Sequence, residues 1–314
     1  MLLTLAPVLH AAPSIGSSTV GFIDFLVWQV RESGADNWAQ VINTSAVGTS
    51  AYLVDAPFAW NTGVRVGVDH QCSQYPFDIL FAYTHYQAYA SNQASGTVAS
   101  AFDGGYFVDN TDGAMLGLTY NNANVKWQIF YNTADVNLGQ HVEIDPVLQL
   151  HPYIGLKAAS INQKIFTNWL TPTIPTNFTS AIENLRNDFL GIGPTLGVDT
   201  TWMMYRSANH SVGLIGNIAG GLLAGHWNFH EVFVNNTGVT IITHVAGVNG
   251  AAPVAIGLLG LQWAMQFGTS TISASLGYEA QMWFNQEQFY SLSMGRANRP
   301  VSIQGGNLEV RYHF

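Results

Sequence analysis

His226, His230 and Glu231 fall within the six residues HWNFHE. Two histidines four apart beside a glutamate are the material of a zinc hydrolase when a helix carries them on one face. The order HExxH is absent here. On a strand, His226, Asn228 and His230 share a face with the histidines roughly 13 Å apart at ~3.3 Å per residue, too far for one ion unless the segment turns. The glycines of GIGPTLG, Gly191, Gly193 and Gly197, miss the last spacing of a dinucleotide fingerprint; inside a strand they fit a curved wall, where glycine relieves crowding. Asp103, Asp109 and Asp112 gather in one polar stretch without the dense oxygen spacing of a calcium loop. The many serines lack a GxSxG elbow. No catalytic residue, metal-ligand set or cofactor is expected.

What remains is a set of charged side chains standing singly between apolar ones. In TGVRVGVDH (62–70), Val64, Val66 and Val68 alternate with Arg65 and Asp69. In PFDILFAYTHY (76–86), Phe77, Ile79, Phe81 and Tyr83 oppose Asp78, Ala82 and Thr84. LQLHPYIGLKA (148–158) sets Leu148, Leu150, Ile154 and Leu156 against Gln149, His151, Tyr153 and Lys157. In TISASLGYEAQMWFN (271–285), Ile272, Leu276, Tyr278, Met282 and Phe284 oppose Ser273, Ser275, Glu279, Gln281 and Asn285. Asp199 has the same setting. The chain ends on NLEVRYHF, with Leu308, Val310, Tyr312 and Phe314 on one face and Asn307, Glu309, Arg311 and His313 on the other. Period-two alternation of this kind is the mark of strands. A sealed core would not accept so many ions, each costing several kcal/mol unpaired; a water-filled lumen would. Arg65, Asp69, Asp78, Lys157, Asp199, Glu279, Glu309 and Arg311 are therefore the expected channel-lining residues.

Composition decides which solvent the other face meets. Of 314 residues 48% are hydrophobic and 9% charged, far below the roughly 25% charge of a globular protein. Mean hydropathy is +0.15. A soluble sandwich with its polar face outward would carry more charge. A helical bundle needs runs of about 18 apolar residues, and the best candidates, 245–263 and 212–225, are broken by Asn249, Pro253 and Gln262 or carry five glycines. Apolarity without spanning helices points to a transmembrane β-barrel. A net charge of −9 with no basic cluster argues against nucleic acid as a partner. Cys72 is the single cysteine and excludes an internal disulfide.

Residues 1–19 read as a signal-peptide remnant or an N-terminal arm, and 20–314 as the barrel. About 295 residues at roughly 24 per strand and loop suggest about 12 antiparallel, up-and-down strands, with 10 to 14 possible. Trp28, Trp60, Tyr120, Trp127, Trp202, Trp263, Phe284 and Phe314 are candidates for interfacial girdles. The polar stretches 88–112 and 164–187 are expected as long extracellular loops.

The ending Leu308, Val310, Tyr312, Phe314 resembles the C-terminal signal of bacterial outer-membrane proteins, which implies recognition by the barrel assembly machinery. GFIDFLVWQVRESGADNWA (21–39), FAWNTGVRVGVDH (58–70), LQLHPYIGLKAASINQKI (148–165), DFLGIGPTLGVDTTWMM (188–204), LGYEAQMWFNQEQF (276–289) and VSIQGGNLEVRYHF (301–314), in that order, resemble the Legionella-type major outer membrane protein family, which also occurs in environmental chlamydiae. The resemblance implies a pore-forming barrel in the outer membrane of a Gram-negative cell envelope, and not an enzyme. With Cys72 alone, the chain cannot share the cross-linked network of the cysteine-rich chlamydial major porins. The expected function is a porin for passive diffusion of small hydrophilic solutes and ions, weakly cation-preferring from its lumen charge. Its partners would be outer-membrane lipid and those solutes, with a homotrimer open to it. Two alternatives stand beside this: a closed barrel serving as surface scaffold or adhesin, with Tyr153, Phe189 and Trp283 filling the bore, and a transporter in which those aromatics form a track for apolar solutes.

Overall fold

The computed structural model describes residues 18–32, 37–71, 75–102, 117–291 and 295–314. The proposed leader up to residue 17, Cys72 and the acids Asp103, Asp109 and Asp112 lie outside them. Thirteen strands follow in order: β1 (Ser18–Glu32), β2 (Asn37–Ser45), β3 (Gly48–Asp55), β4 (Asn61–Gln71), β5 (Asp78–Ser100), β6 (Thr119–Gly139), β7 (Val142–Glu143), β8 (Leu148–Pro172), β9 (Ser180–Arg206), β10 (His210–Asn235), β11 (Thr240–Phe267), β12 (Ser270–Ser291) and β13 (Gly295–His313).

Ten of them close a ring, β1-β4-β5-β6-β8-β9-β10-β11-β12-β13, and β13 returns to β1 in the register Val20↔His313 to Glu32↔Val301. Phe314 joins the seam, its N–H donating to the Thr19 carbonyl at 3.0 Å. Every pairing is antiparallel, and none of the ring strands is left with a free edge along its whole length. Ten strands fall within the expected range but below the central figure of 12. The reason is strand length. β8 to β11 run 25 to 28 residues, about 90 Å of contour for the longest at ~3.3 Å per residue, against a lipid-facing band only about 25 Å tall. The sequences 88–100, 164–172 and 180–187, expected as extracellular loop, are strand. They are polar because they stand outside the membrane, not because they are irregular. The hairpin β2–β3 pairs with the far end of β5 through Ala39↔Ser100 to Ile42↔Thr97, and lies outside the ring, as does β7.

At the end where β1 begins and β13 finishes, the ring strands are joined by residues 72–77, 140–147, 207–209 and 268–269, whereas the opposite end carries the far longer 33–60 and 101–118, a contrast that marks the first end as periplasmic. Around this half runs an outward belt of exposed apolar side chains: Ile23 and Phe25 on β1, Val66 on β4, Phe81 on β5, Val136 on β6, Ile154 on β8, Leu196 on β9, Ile218 on β10, Leu259 on β11, Leu276 on β12 and Leu308 on β13. Leu196 and Leu276 are 67% and 66% exposed, which is tolerable only where the solvent is lipid. Farther from the termini the outward positions turn polar, as at Lys126, Lys164, Asn184 and Arg186.

The interior does the reverse. Beside the belt it is polar; beyond it, the bore is filled by Trp28, Trp127, Trp169, Trp227, Trp283, Tyr120, Tyr131, Phe189, Phe229 and Phe233, all fully buried. Trp28, Tyr120 and Trp127 thus correct the girdle expectation: they face inward. Trp60, Trp202, Trp263, Phe284 and Phe314 are exposed as expected. On β12 the alternation slips at a bulge between Trp283 and Glu287. Asn285, expected inward, adopts φ +61° there, and Gln286 takes the buried place.

The glycines of β9 leave room that other groups occupy: the Phe189 ring at Gly191, the β10 backbone at Gly193 and the Tyr153 ring of β8 at Gly197. A Cβ on Gly193 would overlap the Leu222 carbonyl and Leu223 Cα of β10, both backbone, whereas one on Gly257 of β11 meets nothing within 4 Å. Gly193→Ala should therefore cost about 1–3 kcal/mol as overpacking, read as a lower urea midpoint for the refolded barrel, while Gly257→Ala leaves the midpoint unchanged.

Candidate functional site

The polar half of the bore holds a cavity of about 500 Å³, room for on the order of fifteen waters at about 30 Å³ each. Strand parity puts the expected residues there. Arg65, Asp69, Lys157, Asp199, Glu279, Glu309 and Arg311 all line it. Asp78 lies behind them, almost wholly buried and held by His151. Asp135 joins the lining and Asp24 lies buried behind it against Arg65, although sequence reading passed both over. Asp24 is a lone charge in the apolar run GFIDFLV, and its inward parity was the available signal. Counting lysine, arginine and carboxylates, the lining holds three cationic and five acidic side chains, an acidic excess.

Most of these charges are paired. Lys157 on β8 meets its register neighbour Asp135 on β6 at 2.5 Å, and Arg311 bonds Glu309 two residues away at 2.6 Å. Arg65 is the centre of a longer chain. Its guanidinium donates to Asp24 on β1 at 3.1 Å, to both oxygens of Glu279 on β12 at 2.9–3.0 Å, and to Thr84 Oγ1 on β5 at 3.1 Å. Its carbon sits 5.5 Å from the Trp28 ring centroid, within cation–π range. Such a fork, with every donor facing an oxygen or a ring, is what makes a charge tolerable away from bulk water.

From Glu279 the chain continues across the bore. Gln281 Nε2 donates to Glu279 at 2.6 Å; Gln281 Oε1 accepts from Trp283 Nε1 at 3.0 Å and from the Tyr131 hydroxyl at 2.8 Å. Tyr131 is on β6 and Gln281 on β12, five strands apart by either route around a ring of ten. They are diametrically opposed, and their contact closes the bore. The Tyr131 ring also meets Trp283 and Trp28 edge-on, with centroids 5.5 and 6.3 Å apart. Beyond, Asn187 of β9 donates to the Gln286 carbonyl at 2.8 Å, and Trp38 of β2 lies against Trp169 of β8 at 5.8 Å.

Of the three aromatics expected to fill the bore, Phe189 and Trp283 are wholly buried in this packing. Tyr153 instead lines the cavity and accepts from Asn217 at 3.1 Å. The buried aromatics touch one another rather than the walls of an open track. His226 and His230 face outward on β10, each engaged with β11: His226 with Asn249 at 2.9 Å, His230 edge-on to His244. The extended strand keeps them apart, as the spacing argument requires.

Similar folds include the outer-membrane protease OmpT from Escherichia coli, 9% identical, covering 95% of this chain and 97% of that one, with a TM-score of 0.42. The toluene transporter TodX of Pseudomonas putida is 9% identical over 95% of this chain and 89% of its own, with a TM-score of 0.31. A FadL homologue of Pseudomonas aeruginosa is 7% identical over 95% and 90%, with a TM-score of 0.24. At these scores they carry no argument about function. No curated protein matches the sequence. The family model described as Legionella pneumophila major outer membrane protein precursor matches residues 20–314, nearly the whole chain, and the chain belongs to that family of bacterial outer-membrane β-barrel proteins.

Proposed function

We propose that the chain is a narrow, gated outer-membrane pore of porin type, and not an enzyme, passing small hydrophilic solutes and ions with a weak preference for cations. The observation that carries this reading is the charged cavity of about 500 Å³ at membrane height on the periplasmic side. Ion pairs on a wall that needed only to be filled could be replaced by apolar side chains at no loss of stability, whereas solutes in transit need polar partners. The acidic excess of the lining supports the cation preference. The gate is the Tyr131–Gln281–Trp283 bridge and the aromatic packing above it, so a wide, constitutively open channel is not the proposal.

One observation favours a second reading. The outer half of the bore is packed like a protein core, and a barrel closed so completely also suits a surface scaffold built on the tall strands β8 to β11.

Single-channel recording in a planar bilayer under a KCl gradient separates the two. The wild-type chain should give rare, small steps. Tyr131→Ala with Trp283→Ala removes an aromatic pair and two hydrogen bonds to Gln281, worth together about 2–4 kcal/mol, raising open probability tenfold or more. Silence from both proteins, with folding and insertion verified by heat-modifiable migration, would leave the scaffold. In the open variant, Asp69→Asn with Asp199→Asn should move the reversal potential toward anions, and Arg311→Gln should move it the other way. A reversal potential indifferent to all three would refute lumen charge as the selectivity element.

A further inference from the structure

The cavity's periplasmic rim holds a cluster that conduction does not require. Asp78 opens β5, His141 lies in the turn after β6, and His151 is on β8. His151 Nε2 is 3.0 Å from Asp78 Oδ2, His141 Nε2 is 3.6 Å from the same oxygen, and the two imidazoles stack with centroids 4.3 Å apart. One donor atom from each residue lies within 4.8 Å of the others. We propose that Asp78, His141 and His151 bind a borderline divalent transition-metal ion, with Zn²⁺ the reference case.

Two independent features indicate a built site. The first is a missing side chain. Gly139 on β6 pairs with Asp78 on one side and Tyr153 on the other. A Cβ there would overlap His151 Nε2 and come within 2.9 Å of Asp78 Oδ1. Glycine thus opens the passage through which His151 reaches a carboxylate two strands away. The second is the support behind His151. Its Nδ1 meets Asp199 Oδ2 at 3.1 Å, and Asp199 Oδ1 accepts from Asn217 Nδ2 at 2.7 Å. A carboxylate on the far nitrogen of a histidine fixes its tautomer and aims the other nitrogen, the usual outer shell of a metal-bound imidazole.

The chemistry and geometry agree. Two imidazoles and one carboxylate suit Zn²⁺, Ni²⁺, Cu²⁺ or Co²⁺ rather than Mg²⁺ or Ca²⁺, which want oxygen alone. Zinc takes nitrogen and oxygen at about 2.0–2.2 Å, which sets tetrahedral donors roughly 3.4 Å apart, and the His151–Asp78 and His141–Asp78 separations of 3.0 and 3.6 Å bracket that value. Asp78 and His151 are held in place, but the His141 side chain is 57% exposed and free to swing in. The ion replaces the proton that His151 Nε2 shares with Asp78, and a water from the cavity completes a tetrahedron.

This proposal is independent of whether the barrel conducts, and its test is spectroscopic. The full chain, refolded in detergent and stripped with EDTA, is titrated with Co²⁺. Tetrahedral ligand-field bands saturating at one ion per chain are expected, abolished by Zn²⁺ and untouched by excess Mg²⁺ or Ca²⁺. His141→Ala, whose exposed side chain leaves folding intact, should weaken Zn²⁺ binding tenfold or more, and Asp199→Asn about 10- to 100-fold through the outer shell. Gly139→Ala should also weaken it, by displacing His151. Absence of stoichiometric Co²⁺ binding by the wild-type chain would overturn the site. So would His141→Ala binding as tightly as wild type, which would place the ion on other histidines.

Discussion

A β-strand has one parity, and in this barrel a single parity has to serve two solvents. From His151 to Trp169, odd-numbered residues of β8 face the bore and even-numbered ones face out. At membrane height Ile154 and Leu156 meet lipid while His151, Tyr153 and Lys157 meet the lumen. A few residues on, Lys164 faces out while Ile161, Ile165 and Trp169 are buried inside. The alternation does not slip over this stretch; its hydrophobic sign reverses. In lipid the apolar side must face out and the charges can only go inward. Above the bilayer water is outside, and the same inward positions become an ordinary apolar core.

The reversal makes two compartments, and the residues at their boundary hold both. Arg65 is paired with Asp24 and Glu279 on its polar side and lies over Trp28 on its apolar side. Glu279, Gln281 and Tyr131 carry the hydrogen bonds from that network into the aromatic packing. The bridge places an ionic cluster where burial would otherwise penalise it and gives each member a partner. It also joins opposite walls, so whatever moves one end of the network moves the constriction. In the proposed pore, selectivity and closure thereby belong to neighbouring residues on the same strands.

The rim cluster follows from the same ring. Asp78, Gly139 and His151 sit on three adjacent strands, and only the register of β5, β6 and β8 lines them up. None of Asp78, His141 and His151 looks like a ligand in its own segment, since the sequence separations of 63 and 10 residues carry no motif. His151 stood on the polar face of its strand, and there its legibility ended.

The sequence by itself determined whatever depends on period two and on total charge. These are the strand class, the inward side of Arg65, Asp69, Lys157, Asp199, Glu279, Glu309 and Arg311, the outward side of Leu308, Val310, Tyr312 and Phe314, and the need for a lipid solvent. Parity is local, so eight or ten residues suffice to display it. The tertiary structure alone decided where along each strand the solvent changes. That is why residues 88–100, 164–172 and 180–187 look like loop when read singly, and why Trp28, Tyr120 and Trp127 resemble a lipid girdle. Aromatic side chains flanking polar ones give the same pattern at a bilayer edge and in a soluble core. Only ring closure, with ten long strands in fixed stagger, sets which residues share a height and which pairs, such as Tyr131 and Gln281, meet across the bore.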